Sequence, residues 1–255
     1  MIGHLSSALV VRTAWLVMFG LLAHNFIVSA AVADDTVAND IRSNVGEHSC
    51  DVLTRNAHNF EVDGGLFEEL QLPDSDIALE ACQQAVRDHP NEPRFAYQLG
   101  SVFGAMGSDE EIQWYLKAGE KGYRPAQYRI GLLYWLGTGV EKDVKEAVRW
   151  MRMSAEQGFV PASSHLSTIY MFGLEDFEID NVEAVHWLRV GAENGHADSQ
   201  YTYGQFVRQG QGVPQDECEA LEWFRKAEAQ GNTSAADMIK FLVATEAASE
   251  EICQR

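Results

Sequence analysis

Positive charge is scarce in this chain. Its 255 residues include 19 lysines and arginines against 38 aspartates and glutamates, so the formal net charge is −19 at pH 7. A surface of this charge repels the phosphate backbone of DNA and RNA, and the composition therefore argues against nucleic acid as a partner. On an exported protein an acidic surface can also serve solubility alone. The charge excludes one class of partner and identifies none.

The short signatures of common enzymes are also missing. The sequence contains no G-x-S-x-G, H-E-x-x-H, S-x-x-K or G-x-x-x-x-G-K-[ST] motif, which argues against the corresponding hydrolases and phosphate-binding loops. His165, His186 and His196 follow no common spacing and predict no metal site. Adjacent acids such as Glu110 and Glu111 suit the start of a helix rather than general acid–base catalysis. We therefore expect no enzyme activity, no cofactor and no metal.

Long apolar runs are absent after the first 33 residues. Within them, Arg12 precedes the apolar run Ala14–Ala23 and a small-residue stretch ending in A-V-A. This layout predicts a secretory signal peptide over residues 1–33, cleaved before Asp34. A membrane anchor is the alternative, but the run is shorter than the roughly 20 residues needed to span a bilayer. We expect a mature chain that is periplasmic or secreted, without stable membrane insertion.

Cysteine occurs four times and never as C-x-x-C. The missing motif argues against redox catalysis and zinc binding, whereas an even number of cysteines in an exported chain fits two disulfides. Among the three pairings that four cysteines allow, we favour Cys50 with Cys82 and Cys218 with Cys253. Each bridge would add about 3 to 4 kcal/mol to stability. Reduced, buried cysteines acting as small apolar residues are the alternative.

Two kinds of marker residue recur at a constant distance. The tryptophans are 36, 37 and 36 residues apart, and each is followed by a glycine at the same spacing: Trp114, Trp150, Trp187 and Trp223; Gly122, Gly158, Gly195 and Gly231. Two independent markers in one register predict a tandem array. We place its four units at residues 93–123, 124–159, 160–196 and 197–232, the first with a shorter internal loop.

Each unit has two apolar stretches with the period of a helix. In the second unit, Ala126 and Ile130 belong to the first stripe and Trp150 to the second, and Asp143 can cap the second helix. Small residues let the two helices approach closely, at Gly100, Gly131, Ser167 and Gly204. Since one helical hairpin cannot bury both faces, the units must stack into a superhelix. We expect its tryptophans to fill the space between units and its first helices to line the concave side.

The repeating pattern A-x-x-x-[LI]-G-x-x-Y, G-x-G-V-x-x-D and A-x-x-W-x-x-x-[AG]-x-x-x-G resembles the Sel-1-like repeat, a subfamily of the tetratricopeptide-type helical repeats. In the second unit the matching residues include Gly131, Tyr134, Asp143 and Trp150, and the resemblance covers residues 93–232. It implies an all-α, right-handed superhelical solenoid that acts as an interaction scaffold, commonly in the bacterial envelope or secretory pathway. It implies no shared catalytic residue. The third unit departs from the pattern in its small residue and its loop.

Both ends of the array need covering. Residues 34–92 predict an irregular segment followed by a capping helix from about Ser75 to Asp88, stapled together by Cys50 and Cys82. Residues 233–255 predict a capping helix from about Ser234 to Ala247 and a tail that brings Cys253 to Cys218.

The first helices supply the candidate binding residues. Counted from the small residue of each, the positions three before, one after and four after should face the concave side and form a groove for an extended peptide or partner helix. These positions hold Tyr97 and Ser101; Tyr128, Leu132 and Trp135; Ser164, Thr168 and Met171; Tyr201, Gln205 and Arg208. The tyrosines recur in the repeat's own consensus and could instead pack inside. Trp135 departs from that consensus and is the strongest candidate.

We expect a non-catalytic scaffold that binds a protein or peptide through the concave face. One alternative is an exported enzyme resembling cysteine-rich Sel-1-like proteins with penicillin-binding or β-lactamase activity. Those proteins have paired cysteines in each repeat, whereas Cys218 is the only cysteine within the four units of this chain. The other alternative is an envelope module that assembles with itself or binds cell-wall components.

Overall fold

The computed structural model describes residues 49–54, 75–244 and 253, and within them it has eleven α-helices and no β-strand. The helices are α1 (Ser49–Leu53), α2 (Ser75–Asp88), α3 (Pro93–Ala105), α4 (Glu111–Gly119), α5 (Arg124–Leu136), α6 (Val144–Ala155), α7 (Val160–Phe172), α8 (Asn181–Glu193), α9 (Ala197–Gln209), α10 (Glu217–Glu228) and α11 (Thr233–Ala244). None of these described helices has the length and apolar character that would let it cross a membrane.

The helices pack against their neighbours along the chain. The pairs are α3 with α4, α5 with α6, α7 with α8 and α9 with α10, and each second helix also contacts the first helix of the next pair. Helix α2 packs on α3 at one end, and α11 packs on α10 at the other. Four clusters of buried apolar residues follow one another along this row, each joining at least three consecutive helices. The predicted all-α solenoid is confirmed.

Three of the second helices begin in the same way. Asp143, Asp180 and Asp216 each precede the helix in an extended conformation and accept hydrogen bonds from the second and third N–H groups that follow. For Asp143 the donors are the backbone N–H groups of Lys145 and Glu146, both at 3.0 Å. The predicted cap at Asp143 is therefore confirmed. Because these N–H groups have no partner within the helix, the carboxylate stabilises each helix start by about 1 kcal/mol.

The two helices of a unit meet at the small residue. A Cβ atom added to Gly131 would lie 2.7 Å from the Met151 side chain and 3.0 Å from the Ala147 carbonyl oxygen, and one added to Gly204 would lie 2.7 Å from the Phe224 ring. Real Cβ atoms do not come this close to other carbon atoms, so a larger residue would push the helices apart. The structure confirms that these glycines permit the close approach.

The recurring tryptophans lie on the second helices. Trp187 is 1% exposed and packs among Met151 and Ala155 of α6 and Leu166 of α7. Trp150 is also buried, whereas Trp114 and Trp223 are partly buried. In three units the indole N–H donates to a glutamate four residues earlier, at 2.8 Å for Glu146, 3.1 Å for Glu183 and 3.3 Å for Glu219. The tryptophan therefore joins units through its ring and satisfies its N–H locally.

We expect Trp187→Ala to lower the free energy of unfolding by about 3 to 5 kcal/mol, because the substitution leaves a cavity between two units. Trp223→Ala is the matched control and should cost less, since this tryptophan already lies partly in solvent. Urea unfolding followed by far-UV circular dichroism measures both. Equal losses of unfolding free energy in the two variants would show that the deeper burial of Trp187 adds nothing to stability.

Both ends of the array are tied by disulfides. Cys50 and Cys82 join α1 to α2 with an S–S distance of 2.08 Å, and Cys218 and Cys253 are joined at 2.05 Å. The pairing in the structure is thus sequential. Helix α2 has the predicted bounds, whereas α11 ends at Ala244 and the rest of its predicted span falls outside the described residues.

One expectation for the N-terminal flank is corrected. Residues 49–53 form helix α1, although the polar composition predicted irregular structure there. Tertiary contacts hold this short helix: the Asp51 carboxylate pairs with Arg94 at 3.2 Å and accepts a hydrogen bond from Gln98 at 2.9 Å. Residues 1–48, with the predicted signal peptide at 1–33, and residues 55–74 lie outside the described residues.

We expect the double variant Cys50→Ser, Cys82→Ser to lose about 3 to 4 kcal/mol of stability, because the bridge closes a loop of about 32 residues in the unfolded chain. The measurement is urea unfolding of the oxidised protein and of the variant. Adding a reductant to the wild type should reproduce at least this loss, because it also breaks the Cys218–Cys253 bridge, and a variant as stable as the oxidised protein would contradict the stapling role.

Candidate functional site

The candidate site is the surface that the first helices α3, α5, α7 and α9 form together. We call it the first-helix face and define it by the positions three before, one after and four after the small residue of each helix. It corresponds to the side that the sequence predicts to be concave. The defining residues are Tyr97, Ser101, Tyr128, Leu132, Trp135, Ser164, Thr168, Met171, Tyr201, Gln205 and Arg208.

Four of these side chains are buried within the array. Tyr97 and Tyr128 are each 4% exposed, Leu132 is 3% exposed, and Ser101 is also buried. Tyr97 packs against the ring of Tyr115, with centroids 5.5 Å apart. The packing alternative therefore applies to Tyr97 and Tyr128, and Leu132 joins them in the core instead of offering surface to a partner. The candidate binding set is smaller than the sequence predicted.

The remaining predicted residues are partly exposed. Trp135 and Met171 pack against the core cluster shared by the second and third units, and Met171 also contacts the cluster of the fourth. Thr168 donates its hydroxyl to the Ser164 carbonyl at 2.9 Å and is itself partly exposed. These residues keep surface that a partner could contact: Trp135, Ser164, Thr168, Met171, Tyr201, Gln205 and Arg208.

A histidine that the sequence reading left aside lies between two helices of this face. His165 Nδ1 is 3.0 Å from the Tyr128 hydroxyl, and its ring lies 6.4 Å from that of Trp135. Burial raises the pKa of Tyr128 to about 12, so its hydroxyl stays protonated and shares a hydrogen bond with Nδ1. Burial lowers the pKa of His165, which favours the neutral ring. The His165 ring thus lies next to both Tyr128 and Trp135.

The position of His165 within its repeat could have identified it from the sequence. It lies two residues before the small residue of its helix, and the same position holds Gln98, Arg129 and Thr202 in the other units. Arg129 stands 5.9 Å from the ring of Tyr115. A polar residue thus recurs at this position in all four units, and the two residues that follow it are buried in every unit.

The fourth unit has a continuous row of polar contacts. Gln205 donates from Nε2 to the Tyr201 hydroxyl at 2.7 Å, and Arg208 donates from Nη2 to Gln205 Oε1 at 3.5 Å. Three enclosed polar atoms in the described part of the chain have no hydrogen-bond partner: Ser164 Oγ, Arg208 Nε and Glu217 Oε2. Two of the three lie on the first-helix face.

The charge of the first helices differs from that of the rest. Residues 93–232 contain 13 basic and 20 acidic side chains, which gives a net charge of −7. Helices α3, α5, α7 and α9 carry four arginines and only one acid, Asp198, for a net charge of +3. The second helices and loops therefore hold the negative charge of the array. Within the described residues no group of three potential ligands is placed to hold a metal ion.

The family of the repeat is established by sequence. A family model described as Sel1 repeat matches residues 112–123, 124–159, 161–196 and 197–232. This chain carries four Sel1 repeats. In the first unit the match begins only within α4, where the inter-helix loop is shorter than in the other units. Sel1 repeats usually mediate protein interactions.

Two solved structures share the Sel1 fold. A protective antigen of uropathogenic Escherichia coli strains that displays an SLR fold is 30% identical with a TM-score of 0.55, and the alignment covers 66% of this chain and 36% of that one. A Sel1 repeat protein from Oxalobacter formigenes is 29% identical with a TM-score of 0.56, covering 64% and 69%. This chain thus spans 36% of the length of the Escherichia coli antigen. No curated protein matches the sequence.

We expect the buried His165 to make stability fall as the pH drops below about 6.5, the value for an exposed histidine. Its folded pKa is lowered, so the unfolded chain takes up the proton first and protonation favours unfolding. Urea unfolding at about pH 7.5 and about pH 5 measures the dependence. His165→Gln should weaken it, whereas His186→Gln, at an exposed position, should leave it unchanged. The same pH dependence in His165→Gln would contradict the assignment.

Proposed function

We propose that the protein is a non-catalytic scaffold that binds a segment of another protein along its first-helix face. Interaction is the usual role of Sel1 repeats, which supports the general assignment. The choice of this face is supported by comparing the four units of the chain with one another.

Packing positions recur from unit to unit, whereas positions on the first-helix face differ. Tryptophan recurs on all four second helices, and glycine recurs in all four turns with φ between 78° and 90°. Four residues after the small residue, the units instead carry Gly104, Trp135, Met171 and Arg208. Side chains needed only for stacking would recur with the stacking, so this variation is the observation that carries the proposal.

The middle of the face offers apolar surface. Trp135 and Met171 are partly exposed, and each is followed by an exposed apolar residue at the end of its helix, Leu136 at 52% and Phe172 at 55%. Large apolar side chains grouped in this way are typical of protein interaction sites, where an aromatic anchor provides much of the binding energy. This middle part of the first-helix face suits an apolar segment of a partner.

The scaffold is further proposed to work outside the cytoplasm, in the bacterial periplasm or after secretion. All four cysteines are paired in disulfides, and such bonds persist in oxidising compartments. The predicted signal peptide at residues 1–33 supports the same location. Both arguments concern the compartment and leave the partner open.

Affinity capture from bacterial envelope extract tests the binding face. We expect the double variant Trp135→Ala, Met171→Ala to recover at least about tenfold less of the captured partner than the wild type, because it removes the apolar anchors of the face. Val182→Ala is the control, since this exposed residue starts a second helix. Circular dichroism verifies that each variant is folded.

Equal recovery by the double variant and the wild type would move the site away from the first-helix face. If size-exclusion chromatography with light scattering shows that the captured partner is another copy of the chain, the self-assembly alternative replaces the scaffold proposal.

A further inference from the structure

We propose that the fourth repeat recognises the carboxylate of an internal aspartate or glutamate in the bound segment, through Arg208 and Tyr201. The bound segment is then an extended peptide in which an acidic residue has bulky apolar residues on one side of it. This inference deepens the proposed function and rests on it.

The hydrogen bonds of the fourth repeat fix which groups are left to donate. Arginine has no acceptor atom, so the Gln205 atom that faces Arg208 at 3.5 Å must be the carbonyl oxygen Oε1. The Gln205 amide Nε2 then faces the Tyr201 hydroxyl at 2.7 Å and donates to it, so the tyrosine oxygen is the acceptor in that contact. The Tyr201 O–H proton therefore remains for a further acceptor. Tyr201 and Arg208 together present donors, and a carboxylate is the complementary acceptor.

Arg208 has no acidic partner in the described part of the chain. Its side chain is partly buried, its Nε is enclosed without any acceptor, and its contact with Gln205 is long. Glu217 also has an enclosed oxygen without a hydrogen-bond partner, but no ion pair joins Glu217 to Arg208. Arg152, by contrast, is paired with an acid and donates to Glu183 and Tyr170 at 2.8 Å each. A guanidinium enclosed without a carboxylate costs free energy, which an incoming carboxylate recovers.

The surrounding charge allows an acidic segment to approach. The two first helices nearest the site, α7 and α9, together carry one basic residue, Arg208, and one acid, Asp198, so they present no net negative charge to the segment. At physiological ionic strength charges are screened beyond about 8 Å, so distant acids repel a bound carboxylate weakly. A direct contact with Arg208 is screened much less.

The position of Arg208 favours an internal acidic residue over a chain terminus. On one side the face continues to Met171, which contacts the core clusters of both the third and the fourth units. On the other side α11 continues the row of helices, because its Ala235 and Leu242 join the same core cluster as Tyr203 and Phe206. A segment with its carboxylate at Arg208 therefore has protein surface in both directions, and its apolar side chains can reach Met171 and Trp135.

A phage-displayed library of random dodecapeptides, selected on the folded protein, tests the proposal. We expect selected peptides to carry aspartate or glutamate beside apolar residues. Their binding should weaken at least about tenfold with Arg208→Gln. It should stay within about twofold of wild type with Arg189→Gln, an exposed arginine on the second helix α8. Arg208→Glu should select lysine or arginine in place of the acid, because the charge of the site is reversed.

The outcomes separate this inference from the proposed function. Peptides without an acidic preference, bound equally by Arg208→Gln but lost from Trp135→Ala, Met171→Ala, would overturn the carboxylate site and leave the scaffold proposal standing. Failure to select any peptide, or binding indifferent to all these variants, would contradict both.

A stability measurement distinguishes binding from a structural role for Arg208. Since its Nε is unpaired, Arg208→Gln should change the Tm of the ligand-free protein by no more than about 2 °C. Arg152→Gln is the matched control and should lower Tm further, because it breaks the contacts with Glu183 and Tyr170. A loss with Arg208→Gln as large as that of the control would show that the arginine serves the fold.

Discussion

Each repeat depends on the close contact between its two helices at one small residue. At Gly131 and Gly204 the partner side chain occupies the space where a Cβ atom would lie. The third repeat has Ser167 at this point, and its hydroxyl donates back to the Ser164 carbonyl at 2.8 Å, so the extra atom is accommodated without a partner from α8. With this contact made, the second helix holds its tryptophan between repeats and the first helix keeps one face uncovered. The proposed binding surface thus follows from the packing contact.

No repeat completes its own core. The cluster around Trp187 draws on α5, α6, α7 and α8, so stability is shared between neighbouring repeats. The two ends of the array lack a neighbour, and both are covered by a helix with a disulfide beside it. At the start, Cys50 and Cys82 hold α1 and α2 on α3. At the end, Cys253 packs against the last cluster and is tied to Cys218. The covalent bonds lie where the packing is incomplete.

The sequence predicted the features that depend on periodicity and local chemistry. The tryptophan and glycine spacing indicated the repeats, and Asp143 indicated a helix start. Periodicity gives the direction of a side chain but not the depth at which it lies, because depth is set by the neighbouring repeat. Tyr128 and Leu132 were therefore placed on the right helix but are buried, with α7 and His165 packed over them. Helix α1 was missed because its stability comes from tertiary contacts of Asp51.

The first-helix face has a chemical direction. From the second repeat to the fourth, the position four residues after the small residue changes from Trp135 through Met171 to Arg208. A ligand that lies along the array meets apolar surface first and donors afterwards, so only one orientation places both its apolar and its acidic side chains correctly. Reversing the peptide would put a carboxylate against Trp135 and leave Arg208 unpaired, and both changes cost free energy. With the proposed site, the array therefore selects the direction of its ligand as well as its composition, through side chains that differ from repeat to repeat.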